Sequence, residues 1–274
     1  MVADQTSRQG SVGFREQICL EAGGELANRG GWLFSTGDVE VQLCVSVVIP
    51  ALNEEGSIAD VIRGLPDDVM EILVVDGHST DRTVELATLA SPKVKILTQQ
   101  GQGKGDALRH GFLAASGDIT VMLDADGSMR PEEIHLMVAA LAQGFDVVKG
   151  SRFVLGGGSH DLSVLRRLGN RGLLAITNTL FHSRYTDLCY GYIAFRRSAL
   201  DALLPEGDGF EVETEILVRA YKAGLRIGEV PSFELERSHG VSKLHPVRDG
   251  VRVLRTILVS RSAQRGRVAE AACP

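Results

Sequence analysis

The sequence predicts an α/β fold, a mostly parallel central sheet with helices on both faces, and three observations carry that expectation. Short, apolar, β-branched runs recur at Val45–Ile49, Ile72–Val75, Val94–Leu97, Ile119–Leu123 and Val147–Val148, as strands covered on both sides require. Helix-period patterns fill the gaps between them. The stretches after the first, second and fourth runs are polar and rich in turn residues, which sets them along the carboxyl edge of the sheet, where open α/β folds bind ligands.

Residues 1–43 hold Gly23-Gly24 and Gly30-Gly31 with little sustained periodicity, which predicts a loosely ordered or accessory extension. After the first run, Ile58, Val61, Ile62 and Leu65 share one helix face; later Ile134, Met137, Val138 and Leu141 share another, with Gly144 placed to end that helix. The second half opens on Ser151-Arg152-Phe153 and a flexible Gly156-Gly157-Gly158, then a basic helical pattern around Arg166, Arg167, Asn170 and Arg171. A strand at Ile193–Phe195, a helix from about Glu211 to Lys222, a strand at Ile227–Val230 and an amphipathic helix through Val251, Leu254 and Leu258 follow. Residues 259–274 read as a tail.

Of the rim stretches, Asp124-Ala125-Asp126 is the most informative, because a buried run ending on two carboxylates delivers a hard, oxygen-lined anionic corner. Such a corner suits Mg²⁺ or Mn²⁺ carrying a substrate diphosphate, the chemistry of nucleotide sugars. The same residues also suit a helix start, since Pro131 fits a first helical position and Glu132 and Glu133 fit a first turn. Asp76 carries a similar pair of readings: a base-binding carboxylate at the rim, or the start of a turn with Gly77 while Ser79 caps the next helix. Lys104 in Gly103-Lys104-Gly105 lacks the spacing of a phosphate loop and suits either a phosphate or a plain helix start. His78 and His239 read as loop residues, and Glu211, Glu213 and Glu215 as mostly solvated, with at most one functional.

Composition narrows the function classes. The 274 residues carry a formal charge of −6, so there is no basic surplus to displace counterions from a nucleic acid. Cys19, Cys44, Cys189 and Cys273 stand apart with no Cys-x-x-Cys pair, which predicts neither a zinc site nor a disulfide framework and points to the reducing cytoplasm. No stretch approaches the roughly 18 consecutive apolar residues of a membrane span. Between Lys243 and Arg267 seven basic residues face Asp249 as the only acid, a distribution that fits either a solvated helix face or peripheral contact with anionic lipid at the inner face of a membrane.

Taken together, Val47-Val48-Ile49-Pro50-Ala51-Leu52-Asn53-Glu54-Glu55, the Asp76 loop, Gly103-Lys104-Gly105, Asp124-Ala125-Asp126, Gly150-Ser151-Arg152, Thr186-Asp187 with Gly191, and Arg237-x-His239-Gly240-x-Ser242-Lys243 resemble the family 2 glycosyltransferases of GT-A fold. Within that family the resemblance is to the dolichyl or polyprenyl phosphate mannose and glucose synthases, and it covers about Val45 to Leu258. It implies a glycosyltransferase domain over 44–258, with a nucleotide-binding half at 44–150 and an acceptor-binding half at 151–258. It implies that Pro50, Leu52 and Glu54 line the nucleoside pocket, that Asp76 meets the base, and that Asp124, Ala125 and Asp126 hold ribose and a divalent metal, Mg²⁺ or Mn²⁺. By the same resemblance Lys104 belongs to the donor site, Arg237 and Lys243 close over the diphosphate or acceptor, Arg152 faces the acceptor phosphate, and Asp187 lies beside the reacting sugar. The second loop, Asp76-Gly77-His78-Ser79, has one acid where the family usually has two.

The chemistry of these residue types agrees. A departing diphosphate needs cations where charge develops, and a metal held by Asp126 with Lys243 or Arg237 supplies them. A phosphate acceptor is already an anion, so it needs no base but does need forked donors, for which Arg152, Arg166 and Arg167 are the candidates. A hydroxyl acceptor would instead need a carboxylate to take its proton, with Asp187 or Glu213 as candidates. The expected partners are therefore a nucleotide-sugar donor and a polyprenyl phosphate or a small soluble acceptor, with no nucleic acid; self-association is left open.

Overall fold

The computed structural model describes residues 32–36, 39–240 and 245–271. Its elements run β1 (Trp32–Thr36), β2 (Val39–Leu43), β3 (Val45–Ala51), α1 (Ile58–Arg63), β4 (Glu71–Asp76), α2 (Thr83–Ala90), β5 (Val94–Thr98), α3 (Lys104–Ala114), β6 (Ile119–Met122), α4 (Ile134–Ala142) and β7 (Val147–Ser151). The second half adds β8 (Gly158–Ser159), α5 (Val164–Phe181), β9 (Ile193–Arg196), α6 (Leu200–Leu203), α7 (Val212–Lys222), β10 (Ile227–Pro231), β11 (Phe233–Glu234) and α8 (Pro246–Ala271).

Seven strands form the central sheet in the order β10-β7-β9-β6-β3-β4-β5. All neighbours are parallel except β9, which runs antiparallel between β6 and β7. Side-chain alternation divides the core between the two faces. Val47 and Ile49 of β3 pack with Ile58 and Val61 of α1 and Met137 and Leu141 of α4. Val48 turns to the other face, with Leu108 and Phe112 of α3 and Ile216 of α7. Phe112 is fully buried edge-on against Phe195 at 5.0 Å between ring centroids, and truncating it to Ala should cost about 3–5 kcal/mol. A third cluster joins Leu174 and Phe181 of α5, Leu217 of α7, and Val253 and Ile257 of α8.

The chain winds from β3 outward through β4 to β5 and then returns to lay β6 on the other side of β3. Strand order therefore reverses at the β3–β6 junction, which opens a crevice beyond their carboxyl ends. The stretches after β3 and β6 flank that crevice.

Three expectations need correction. Trp32–Leu43 is an antiparallel hairpin rather than a loose extension, with Trp32 buried in the core and its indole Nε1 donating to His135 Nδ1 at 2.8 Å; the rest of 1–43 lies outside the described residues. The Gly156-Gly157-Gly158 run is tied down, because Gly157 N donates to Val154 O and Gly158 N to Ser232 O, so that β8 pairs with β11. The last helix continues past residue 258 to Ala271, since helical backbone persists after its apolar stripe gives way to arginines. Among the described residues no helix is long and apolar enough to cross a membrane.

Candidate active site

The loops after β3 and β4 are stitched into one unit. Asn53 and His78 both take left-handed backbone, with φ of 51° and 66°. Asn53 N donates to Ser79 Oγ at 2.9 Å, Thr80 N returns a hydrogen bond to Asn53 Oδ1 at 2.8 Å, and Glu54 N donates to Thr83 Oγ1 at 2.8 Å. Asp76 ends β4 nearly buried and accepts from Ser79 N at 3.1 and 3.2 Å. It thus makes the turn foreseen as one of its two roles while remaining at the rim, beside half-buried Pro50 and exposed Leu52.

After β6, each acid of the Asp124-Ala125-Asp126 triplet meets a cation. Asp126 Oδ2 lies 2.7 Å from Arg237 Nη2, whose other terminal nitrogen is 3.6 Å from Glu54 Oε1, so Arg237 bridges the stretches after β3 and β6. Asp126 Oδ1 accepts from Ser128 N at 2.9 Å, and backbone bonds from Ser238 N to Asp126 O and from Leu235 N to Ser128 O lay the 235–238 segment along the corner. Asp124 Oδ1 lies 2.6 Å from Lys104 Nζ, which also contacts Glu213 Oε1 at 2.7 Å. Loss of water pushes the Asp124 carboxyl above its ordinary range, Lys104 pulls against that push, and the Asp126 and Glu213 charges add to it. Burial opposes the Lys104 charge, yet Asp124 and Glu213 hold the ammonium protonated above its usual value. Ala125 turns its methyl into the core, which leaves only its backbone at the rim.

Glycines explain how Lys104 arrives there. A Cβ at Gly105 would stand 1.9 Å from Gly207 O, so this helix start can pass the 207–208 backbone only without side chains. The Gly-Lys-Gly stretch is a close-approach device that delivers an ammonium to two carboxylates, rather than a free lysine awaiting a phosphate. Gly191 serves the same cluster: a Cβ there would lie 2.7 Å from Glu213 Oε1 and 3.0 Å from Lys104 Nζ.

Arg152 and Asp187 differ most from expectation. Arg152 Nε and Nη2 fork onto the two oxygens of Asp187 at 2.7 and 2.9 Å, and Nη1 reaches Glu234 Oε2 at 3.0 Å. The guanidinium also stacks over Tyr190, 4.7 Å from its ring centroid. Side-chain exposure is 2% for Arg152 and 0% for Asp187, so neither faces a substrate. Burial would raise the Asp187 carboxyl, but Lys149 and Arg152 outweigh it and hold the group below the ordinary range. A carboxylate ionised and doubly bonded in this way is no proton acceptor, and Arg152 has no fork left for an acceptor phosphate. The pair is a buried brace. Arg166 touches its edge, 3.0 Å from Asp161 and 3.9 Å from Glu234, and Arg167 is exposed. Lys243 lies outside the described residues.

Sequence reasoning missed Lys149 and Glu234 as partners in that brace. Lys149 is fully buried, with its ammonium 3.2 Å from Gly150 O and 3.5 Å from Tyr190 O. One signal was available: a lone lysine inside the apolar run Val147-Val148-Lys149-Gly150 must find buried partners. The glutamates of α7 also need correction. Glu213 and Glu215 are buried, and Glu215 accepts from Glu206 N, Gly207 N and Arg219.

Among the described residues no three His, Cys, Asp or Glu side chains converge into an all-protein metal cage. A diphosphate-bound Mg²⁺ does not need one, since one or two carboxylates plus phosphate oxygens complete its shell. Asp124 and Asp126 provide such hard donors, and the guanidinium seated on Asp126 marks a corner that takes positive charge.

Comparison with known proteins decides the family. The family model for glycosyl transferase family 2 matches residues 46–204, which include all of β3 but its first residue, the Asp124–Asp126 corner and Gly191. The chain belongs to glycosyl transferase family 2. Among its relatives, glycosyltransferase AglJ of Haloferax volcanii is 35% identical over 75% of this chain and 68% of its own. The dolichol-phosphate mannosyltransferase of Pyrococcus furiosus is 32% identical, and the undecaprenyl-phosphate 4-deoxy-4-formamido-L-arabinose transferase of Pseudomonas fluorescens 33%. The chain spans 59% and 61% of the length of those two proteins. Glucosyl-3-phosphoglycerate synthase of Mycobacterium tuberculosis, solved with Mn²⁺, UDP and glucosyl-3-phosphoglycerate, superposes with a TM-score of 0.66 at 28% identity over 80% of each chain. Another structure of that enzyme holds Mg²⁺ and UDP. This glycosyltransferase therefore has the GT-A fold expected from its sequence.

Proposed function

We propose that this chain is an inverting, divalent-metal-dependent glycosyltransferase that moves one hexose from a nucleoside-diphosphate sugar to a polyprenyl phosphate. The observation that carries the reading is the paired-acid corner beyond β6, at the switch point of the sheet, with Arg237 on Asp126 and Lys104 on Asp124. Relatives named for dolichol-phosphate and undecaprenyl-phosphate transfer support the acceptor class, and the UDP-bound structures of a neighbour support the donor class.

In this reading residues 44–150 bind the donor and residues 151–258 the acceptor. Pro50, Leu52, Glu54 and Asp76 line the nucleoside pocket, and Asp124 and Asp126 hold Mg²⁺ or Mn²⁺. The metal supplies Lewis-acid neutralisation of the departing diphosphate. With Asp126 given to the metal, the Arg237 guanidinium would serve the diphosphate oxygens, and Lys243 would join it. Lys104 keeps Asp124 oriented, a positioning role. Arg152 and Asp187 hold the 187–191 stretch beneath the sugar instead of touching it. Arg166 and Arg167 receive the acceptor phosphate, which attacks as an anion and so needs no base.

A second reading, transfer to a small soluble hydroxyl, is favoured by one feature. Glu213 lies against Gly191 beside Asp124, where a carboxylate could take a hydroxyl proton. Labelled donor offered with Mn²⁺ to a polyprenyl phosphate and to a panel of soluble phosphorylated acceptors separates the two. Label in the lipid fraction supports the first reading, label in the soluble panel alone supports the second, and nucleotide-sugar binding without turnover in either defeats both.

A further inference from the structure

Two helices of the second half leave an apolar face to solvent. On α5 Val164, Leu165 and Leu168, and on α8 Val247, Val251 and Leu258, are each between 51% and 74% exposed. The opposite sides of both helices pack into one shared cluster, so the exposed stripes lie away from a common core. Gly169 and Gly172 extend the α5 stripe, and neither has an atom within 4 Å of where a Cβ would stand.

The exposed charge on α5 and on α8 up to Arg261 has one sign. Arg167, Arg171, Arg248, Arg252 and Arg255 are exposed along the same two helices. α5 contains no acid, and Asp249, the only acid of α8 up to Arg261, is buried, accepting from His245 N at 2.7 Å and pairing with Arg248 and Arg252.

We propose that this two-helix face docks onto the surface of an anionic lipid bilayer. Aliphatic side chains fringed by arginines complement acyl chains beneath negative headgroups. A second copy fits the face poorly: a twofold contact would bring arginines onto arginines, with no exposed acid on α5 or on α8 up to Arg261 to receive them. The face begins two residues from Arg166, which reaches Glu234 of the Arg152–Asp187 brace, so docking would hold the acceptor half at headgroup depth. The link to a lipid acceptor rests on the proposed function; binding to lipid does not.

The test is co-sedimentation of the full chain with phosphatidylglycerol-rich and with pure phosphatidylcholine vesicles, in the absence of donor. The chain should sediment with the anionic vesicles and far less with the neutral ones. Leu165→Gln with Leu168→Gln should weaken that binding at least about tenfold, and Arg171→Glu with Arg255→Glu should abolish the preference for anionic lipid. Both variants should keep the wild-type melting temperature and its shift with nucleotide, which reports that they fold. No sedimentation with anionic vesicles, or leucine variants that bind as tightly as wild type, would overturn the proposal. So would a concentration-dependent dimer that the leucine substitutions dissociate while vesicle binding is absent. Vesicle binding without transfer to polyprenyl phosphate would uphold docking and defeat only the lipid-acceptor reading.

Discussion

The Arg237 guanidinium rests 2.7 Å from Asp126, on the carboxylate that the proposed chemistry assigns to a divalent metal. Cation and guanidinium therefore compete for one oxygen. Arg237→Gln should bind Mn²⁺ alone more tightly than wild type, while nucleoside diphosphate adds less to that affinity because its oxygens have lost a forked donor. Calorimetric titration of Mn²⁺ with and without nucleotide reads both effects. Weaker Mn²⁺ binding by the nucleotide-free variant would mean that Arg237 supports the corner instead of competing for it.

Lys104 separates the Asp124 and Glu213 carboxylates, with contacts of 2.6 and 2.7 Å. Lys104→Met leaves two acids facing each other in a poorly hydrated site, which should cost about 3–5 kcal/mol of stability. Urea denaturation measures the loss. Lowering the pH should recover part of it, as protonation of one acid removes the repulsion.

Gly191→Ala tests the same cluster sterically. Its methyl would stand 2.7 Å from Glu213 Oε1 and 3.3 Å from Asp124 Oδ2, so Glu213 must shift and Asp124 must give way slightly. Disturbing the Glu213–Lys104–Asp124 cluster in this way should lower turnover by roughly 10- to 100-fold while the fold survives. Turnover at saturating donor, with circular dichroism as the control for folding, checks it.

The Arg152–Asp187 brace predicts loss of stability where a substrate contact would predict loss of turnover alone. Arg152→Ala should cost about 3–5 kcal/mol by leaving Asp187 buried and unpaired. The double variant Arg152→Met, Asp187→Leu should recover part of that loss, because no Asp187 carboxylate is then left buried without its guanidinium. Additive losses in denaturant melts would contradict a brace.

The fold was legible because the strands are short apolar runs with few alternatives, and Ile119–Leu123 followed by two acids announces a sheet edge. Local spacing also set the Asp124-Ala125-Asp126 triplet just beyond the end of β6. It could not show which opposite charge each residue meets: Lys104 meets Glu213, 109 positions away, and Arg152 meets Asp187 and Glu234. Arg152 looked like a free phosphate donor because its partners lie on distant elements. Gly103-Lys104-Gly105 left a phosphate contact and a plain helix start open, because glycines required by a neighbouring backbone and glycines required by a phosphate are the same letters. The β1–β2 hairpin escaped notice because residues 1–43 as a whole show little periodicity, which hid the strict alternation of Val39-Glu40-Val41-Gln42-Leu43 within them.

Glu71 gives a pH-dependent check on the sheet. Burial pushes its carboxyl up, but hydrogen bonds from Lys95, Ser46 and Ser116 outweigh this and hold it at about 2, against an ordinary 4.5. A depressed carboxylate contributes stability that is complete above its unfolded value and lost as pH falls through its folded value. Glu71→Gln should therefore cost about 1–3 kcal/mol at neutral pH. The gap between variant and wild type should close as pH drops from 4.5 toward 2. Denaturant melts across that range check it.

The most direct measurement is a crystal structure of the chain soaked with Mn²⁺ and a nucleoside diphosphate, using anomalous scattering to locate the metal. The account predicts one Mn²⁺ within about 2.3 Å of an Asp126 oxygen, bridged to the diphosphate, with Arg237 swung from the carboxylate to the phosphates. Mn²⁺ bound elsewhere, with Arg237 still paired to Asp126 and the nucleotide in place, would contradict it.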